Sequence, residues 1–134
     1  EQQIKAAPIL QKTALEIIPT GYILIDGGKE TAVQKVSNTK PIAQSNLELI
    51  VNTALAGEFS GKKLIYLEAG SGATEAVSQK VIKLVSDNLN IPLIVGGGIR
   101  TKNQLENAFS AGADLVVIGT AFENDESFFN QLKK

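Results

Sequence analysis

Four short apolar runs, each closing on a glycine or an acidic residue, constrain the fold of this chain more than any other feature. They are "GYILID" (Gly21 to Asp26), "KLIYLE" (Lys63 to Glu68), "PLIVGGG" (Pro92 to Gly98) and "DLVVIG" (Asp114 to Gly119). None alternates cleanly between apolar and polar residues, which is how a parallel strand covered on both faces reads. Helical patterns separate them. Ser45 and Glu48 are placed as a capping box ahead of Leu47, Ile50, Val51, Ala54 and Leu55, with Gly61 as the stop. Thr74 is the expected N-cap of a second helix, whose stripe is Val77, Val81, Ile82, Val85 and Leu89. Thr101 and Gln104 predict a capping box for a third, which carries Leu105, Ala108 and Phe109 and ends at Gly112. A last helix is expected from about Asp125 to Leu132, its acidic start and its Lys133-Lys134 end matched to the helix dipole.

One helix in "EQQIKAAPILQKTAL" followed by four βα units implies right-handed crossovers and a parallel sheet with helices outside. An open doubly wound sheet and a (β/α)8 barrel both satisfy that order. Strand ends rich in glycine and acid suit the barrel, whose loops converge on one active face. Four units make half of such a barrel and leave both sheet edges uncovered. The α/β chain is therefore read as the C-terminal half of a (β/α)8 TIM barrel, with residues 1–134 as part of one domain and the N-terminal half outside it. The one long connection, Lys29 to Ala43, is expected to hold a helical turn around Thr31 to Val36 and to be a mobile, function-related loop.

Composition narrows the chemistry. Cysteine and histidine are both absent, which excludes disulfides, cysteine nucleophiles, histidine triads and Cys/His zinc sites. Acid–base work falls to Asp, Glu, Lys or Tyr. A net charge of −1 gives no electrostatic reason to expect nucleic acid. No apolar run is long enough for a transmembrane segment. A cytoplasmic location is expected, with any lipid substrate met at the membrane surface.

The glycine-rich strand ends carry the functional signal. Gly97 and Gly98 in "VGGGIRT" let backbone approach a ligand ahead of a helix N-terminus, and Gly119 and Thr120 in "VIGTA" repeat the device. Consecutive late strands of a (β/α)8 barrel often share one phosphate site in this way. In "LIYLEAGSGA", Ser71 and the N–H groups of Gly70 and Gly72 border that site, while Glu68 and Tyr66 share an orientation by the period of two. Glu68 is then placed to accept hydrogen bonds from ligand hydroxyls. Asp26 either points into the site or caps the glycine turn after it, and Arg100 either assists the phosphate or is a solvated helix-start arginine. No lysine ends a strand, which disfavours a Schiff-base aldolase.

Taken together, "IIPTGYILIDGG", "SNTKPI", "TALAGE", "LIYLEAGSGA", "PLIVGGGIRT" and "ADLVVIGTAFE" resemble the geranylgeranylglyceryl phosphate synthase family, which includes the bacterial heptaprenylglyceryl phosphate synthases. The resemblance implies transfer of a prenyl group, with geranylgeranyl as the expected one, from its diphosphate to the C3 hydroxyl of sn-glycerol 1-phosphate. It implies a Mg2+ ion holding the leaving diphosphate, with its ligands in the N-terminal half and none in this chain. It implies a homo-oligomer. Carried over by motif, the glycerol phosphate site is Tyr66, Leu67, Glu68, Ala69, Gly70, Ser71 and Gly72, then Gly97 and Gly98, then Gly119 and Thr120, with Glu68 as the base. A phosphosugar isomerase or cyclase, and a non-enzymatic phosphate-binding half-barrel, are the alternative readings.

Overall fold

The computed structural model describes residues 2–132. Its elements are α1 (Gln2–Leu10), β1 (Thr20–Leu24), α2 (Ala32–Ser37), α3 (Leu47–Phe59), β2 (Leu64–Glu68), α4 (Gln79–Ser86), β3 (Leu93–Gly96), α5 (Lys102–Ser110), β4 (Leu115–Val117), α6 (Thr120–Asn124) and α7 (Phe128–Leu132). The strands form one sheet in the order β1-β2-β3-β4, every pair parallel. Four neighbouring parallel strands in sequence order, joined through helices, are the arrangement the apolar runs predict.

The two faces of the sheet differ sharply. Ile23, Ile65, Leu67, Leu93 and Val95 project to one side, where they are buried with Ile50 and Ala54 of α3 and Val81, Ile82 and Val85 of α4. The register sets Tyr22 beside Tyr66 beside Ile94 beside Leu115 on the other face, and Leu24 beside Glu68 beside Gly96 beside Val117 one step further on. On that second face Tyr22 is 49% exposed, Leu115 52% and Val117 46%. An aliphatic and aromatic sheet face left open is what the inner wall of a half-barrel shows.

Three helix boundaries depart from the sequence reading. The side chain of Asn46, not Ser45, accepts from Leu49 N–H at 3.3 Å, so α3 begins at Leu47. Ser78, not Thr74, caps α4. Thr74 instead donates its hydroxyl to the Gly27 carbonyl at 2.9 Å, because the chain after β2 first crosses to the β1 loop before turning into its helix. The last helix is two short ones. Asp125 is extended (φ −152°, ψ 98°) and its carboxylate accepts from Ser127 N–H, which separates α6 from α7. The expected Lys133-Lys134 end lies outside the described residues. The Thr101–Gln104 capping box of α5 is present on both sides, with Gln104 N–H donating to Thr101 Oγ1 at 3.2 Å and Thr101 N–H to Gln104 Oε1 at 3.1 Å. Among the described residues no helix is long and apolar enough to cross a membrane.

Candidate functional site

The C-terminal ends of the strands are fastened to one another before any ligand is considered. The Gly27 carbonyl after β1 accepts from the N–H groups of Thr74 and Glu75 in the β2 loop, at 2.9 and 3.0 Å. Gln44 donates to the carbonyls of Asp26 and Ala76 and accepts from Ser78 N–H, so one amide side chain stitches three loop segments together. Asp26 accepts from Gly28 N–H at 2.9 Å, which makes it the cap of the glycine turn. Arg100 donates to the carbonyls of Gly98 and Ala73, tying the β3 loop to the β2 loop.

Within this frame lies a cleft of about 220 Å³, lined by Glu68, Ser71, Gly72, Gly97, Gly98 and Thr120 among others. Tyr22, Tyr66 and Val117 from the open sheet face, Val33 of α2, and Ile99, Arg100 and Gly119 complete it. Of the residues expected at the site, Tyr66, Glu68, Ser71, Gly72, Gly97, Gly98, Gly119 and Thr120 are brought together here. Leu67 is fully buried on the helix side of β2, and Ala69 is buried as well, so neither side chain reaches the cleft. Gly70 is also set back: its N–H donates to Glu68 Oε1 at 2.6 Å and is committed to the carboxylate.

That bond explains how a carboxylate sits beside an anion-binding bend. Glu68 is 7% exposed and is held at the end of β2 by the turn that follows it. Gly97, with φ +85°, lies so close that a Cβ there would come within 2.8 Å of Glu68 Oε1 and 2.5 Å of Gly70 N. One of the three consecutive glycines therefore serves to pack the β3 loop against the Glu68 turn. Other amides are left without a partner. Among the described residues, the N–H groups of Gly72, Gly98 and Thr120 donate to no protein acceptor, and all three residues line the cleft. Unpaired amides from three loops meeting in one cavity are a ready-made anion site.

Two phenols also line the cleft. The Tyr22 and Tyr66 rings meet edge to face, their centroids 4.9 Å apart. Both are turned toward the Glu68 carboxylate. Burial first, then the Glu68 charge and hydrogen bonding, raise the Tyr22 hydroxyl from 10.0 to about 12. Tyr66 is raised too, by burial first and then by hydrogen bonding to Glu68 and its charge. Both phenols stay protonated at any physiological pH and act as hydrogen-bond donors. Tyr22 is the polar site residue that sequence reasoning misses, along with the apolar Val33, Ile99 and Val117. Its signal lies in the register, since it falls directly opposite Tyr66.

Free amides, a carboxylate and two phenols thus share one glycine-walled pocket, in a chain whose sequence matches a known family. The PcrB family model matches residues 2–134. This chain belongs to the PcrB family. It is 67% identical over 126 residues to the geranylgeranylglyceryl phosphate synthase of Zunongwangia profunda, covering 94% of this chain and 54% of the relative. The synthase of that name from Thermococcus gammatolerans is 42% identical over 132 residues, covering 98% and 52%. Among solved structures, the (S)-3-O-geranylgeranylglyceryl phosphate synthase of Thermoplasma acidophilum, in complex with its substrate sn-glycerol-1-phosphate, superposes with a TM-score of 0.89 at 37% identity, covering 97% of this chain and 52% of that one. The chain spans about half the length of the curated relatives it matches. Its four βα units accordingly stand as half of a (β/α)8 TIM barrel.

The magnesium ion that the family resemblance implies finds no suitable donor set here. Among the described residues no three acidic side chains converge, and Asp26 already serves its turn.

Proposed function

We propose that this chain forms the acceptor-binding half of a prenyltransferase that joins a prenyl group, with geranylgeranyl as the expected donor chain, to the C3 hydroxyl of sn-glycerol 1-phosphate. The observation that carries the reading is the polarity of one cleft. Free N–H groups of Gly72, Gly98 and Thr120, which follow the strand ends, share it with Glu68, Tyr22 and Tyr66, which lie in the strands themselves. A short polyol phosphate has the matching polarity, with its charge at one end and its hydroxyls at the other. The glycerol phosphate complex of the Thermoplasma acidophilum relative supports the same choice of ligand.

The chemistry follows from placement. Glycine amides hold the phosphate and so fix which hydroxyl faces away from it. Glu68 accepts a hydrogen bond from that hydroxyl, and the two phenols hold the carboxylate in place. The hydroxyl oxygen attacks the first carbon of the allylic chain, the bond from that carbon to the diphosphate oxygen breaks, and Glu68 takes the hydroxyl proton. Diphosphate leaves, and an ether bond remains. The binding of the diphosphate and its magnesium belongs in this reading to the N-terminal half of the same protein, which also covers the open sheet face. The enzyme is placed in the cytoplasm as a homo-oligomer, meeting its lipid donor at the membrane surface.

The test is product analysis by mass spectrometry. The full-length protein carrying this half is incubated with sn-glycerol 1-phosphate, magnesium and prenyl diphosphates of several lengths. A prenylglyceryl ether phosphate is expected. Release of free prenyl alcohol with no ether product would reject the reading.

A further inference from the structure

The cleft is rich in amides but poor in available positive charge. Its own cation, Arg100, spends its guanidinium on the carbonyls of Gly98 and Ala73. Lys29 lies against Gly72 from a second cavity, formed by the loop after β1 and lined also by Asp26, Gly28 and Gln34. A Cβ built on Gly72 would sit 3.3 Å from Lys29 Nζ and 3.8 Å from its Cε, so the ammonium rests on the bare Cα of a residue that lines the cleft. Gly72 has φ +69°, and its lack of a side chain leaves nothing between the ammonium and the turn.

Lys29 is also uncommitted. The carboxylates that flank it are engaged elsewhere, Asp26 with Gly28 N–H at 2.9 Å and Glu30 with Lys35 at 3.4 Å. Among the described residues it forms no ion pair. A flexible lysine side chain parked without an anion beside a turn that offers a free N–H is placed to find one there.

We infer that Lys29 is a phosphate-specificity residue: its ammonium reaches over Gly72 and pairs with a phosphate oxygen of the acceptor held by the Gly72, Gly98 and Thr120 amides. The inference rests on the proposed acceptor site and adds to it the charge that the amides lack. It also gives the long Lys29–Ala43 connection a task, since its first residue is the one that pairs with the phosphate.

The experiment uses the full-length enzyme with Lys29→Met, Lys29→Arg and, as a control for general loss of charge, Lys80→Met on the exposed face of α4. Lys29→Met is expected to raise KM for sn-glycerol 1-phosphate about ten-fold, the usual scale of one charge-assisted hydrogen bond. Its kcat and its KM for the prenyl diphosphate should match wild type. Lys29→Arg should recover most of the loss, and Lys80→Met should behave as wild type. An unchanged KM for glycerol phosphate in Lys29→Met would overturn the assignment, as would a rise confined to the prenyl diphosphate. Calorimetric titration with inorganic phosphate separates this inference from the reaction itself. Weaker phosphate binding by Lys29→Met supports Lys29 even if no ether product forms, and equal binding by the two proteins overturns it.

Discussion

Tyr66 fills the space that a side chain at Gly96 would need. A methyl group on Gly96 would collide with the Tyr66 hydroxyl and press on its ring carbons. The two residues sit on adjacent strands, with Gly96 paired to Glu68 and Tyr66 one step earlier on the same sheet face. The first glycine of the triple run is therefore a steric partner of the tyrosine that faces Glu68. Gly96→Ala is expected to displace Tyr66 and lower kcat/KM for glycerol phosphate by about ten-fold or more, with a stability loss of about 1–3 kcal/mol, the range for overpacking a tight interior. Steady-state kinetics and denaturant unfolding of the variant check both parts.

The phenols predict an alkaline signature. Tyr22 is raised from 10.0 to about 12 and Tyr66 is raised as well, burial being the first cause in each. Between pH 10 and 12 the folded chain thus binds more protons than the unfolded one. The stability Tyr22 contributes is whole below pH 10 and is lost as the pH climbs through 12, while that of Tyr66 is lost at higher pH still. Absorbance titration of wild type against Tyr22→Phe isolates the phenol signal, and half-ionisation near pH 12 is expected for Tyr22. Ordinary ionisation at pH 10 would contradict the packing described around Glu68.

Gly70 carries a backbone demand that no other residue meets. Its φ is +99°, and a Cβ there would run into the side chain of Thr31, which is buried at the start of α2. Gly70→Ala is expected to disturb two things together: the N–H donated to Glu68 and the seating of α2 on the β2 loop. Hydrogen exchange should show lost protection across Ala32–Ser37, and prenyl transfer should fall about ten-fold or more, as for a change that leaves a catalytic carboxylate poorly oriented.

A change outside the cleft lining makes the contrasting case. Thr101→Ala removes one half of the α5 capping box. It should cost about 1 kcal/mol of stability and leave the kinetic constants as they were. Thermal unfolding alongside steady-state assays distinguishes the two effects.

The fold was legible because its signal is repetitive. Four apolar runs, each followed by a helical pattern, specify a parallel sheet several times over, and the inner and outer faces follow from the period of two. Local caps were less legible, since Ser45, Asn46, Thr74 and Ser78 are all competent caps and only the path of the loop decides among them. The chain after β2 reaches across to Gly27 before it starts α4, and nothing local to Thr74 records that detour. At the site, Glu68 and the glycine-rich turns stand out by residue type. Tyr22 does not, because its place beside Tyr66 depends on strand register, which a single strand does not display. The separate tasks of Gly70 and Gly97 were hidden for a similar reason. Both are glycines in phosphate-like turns, yet close packing against Glu68 and Thr31 accounts for them.

The account turns on Glu68 as acceptor of the hydroxyl proton, separate from the amides that hold the phosphate. Glu68→Gln preserves the shape of the side chain and its acceptor for Gly70 N–H while removing its ability to take a proton. Single-turnover prenyl transfer by the full-length enzyme, measured beside calorimetric binding of inorganic phosphate, tests that division directly. Transfer is expected to fall by about 100-fold or more, within the range for losing a general base, with phosphate affinity close to wild type. Wild-type transfer by Glu68→Gln would contradict the account.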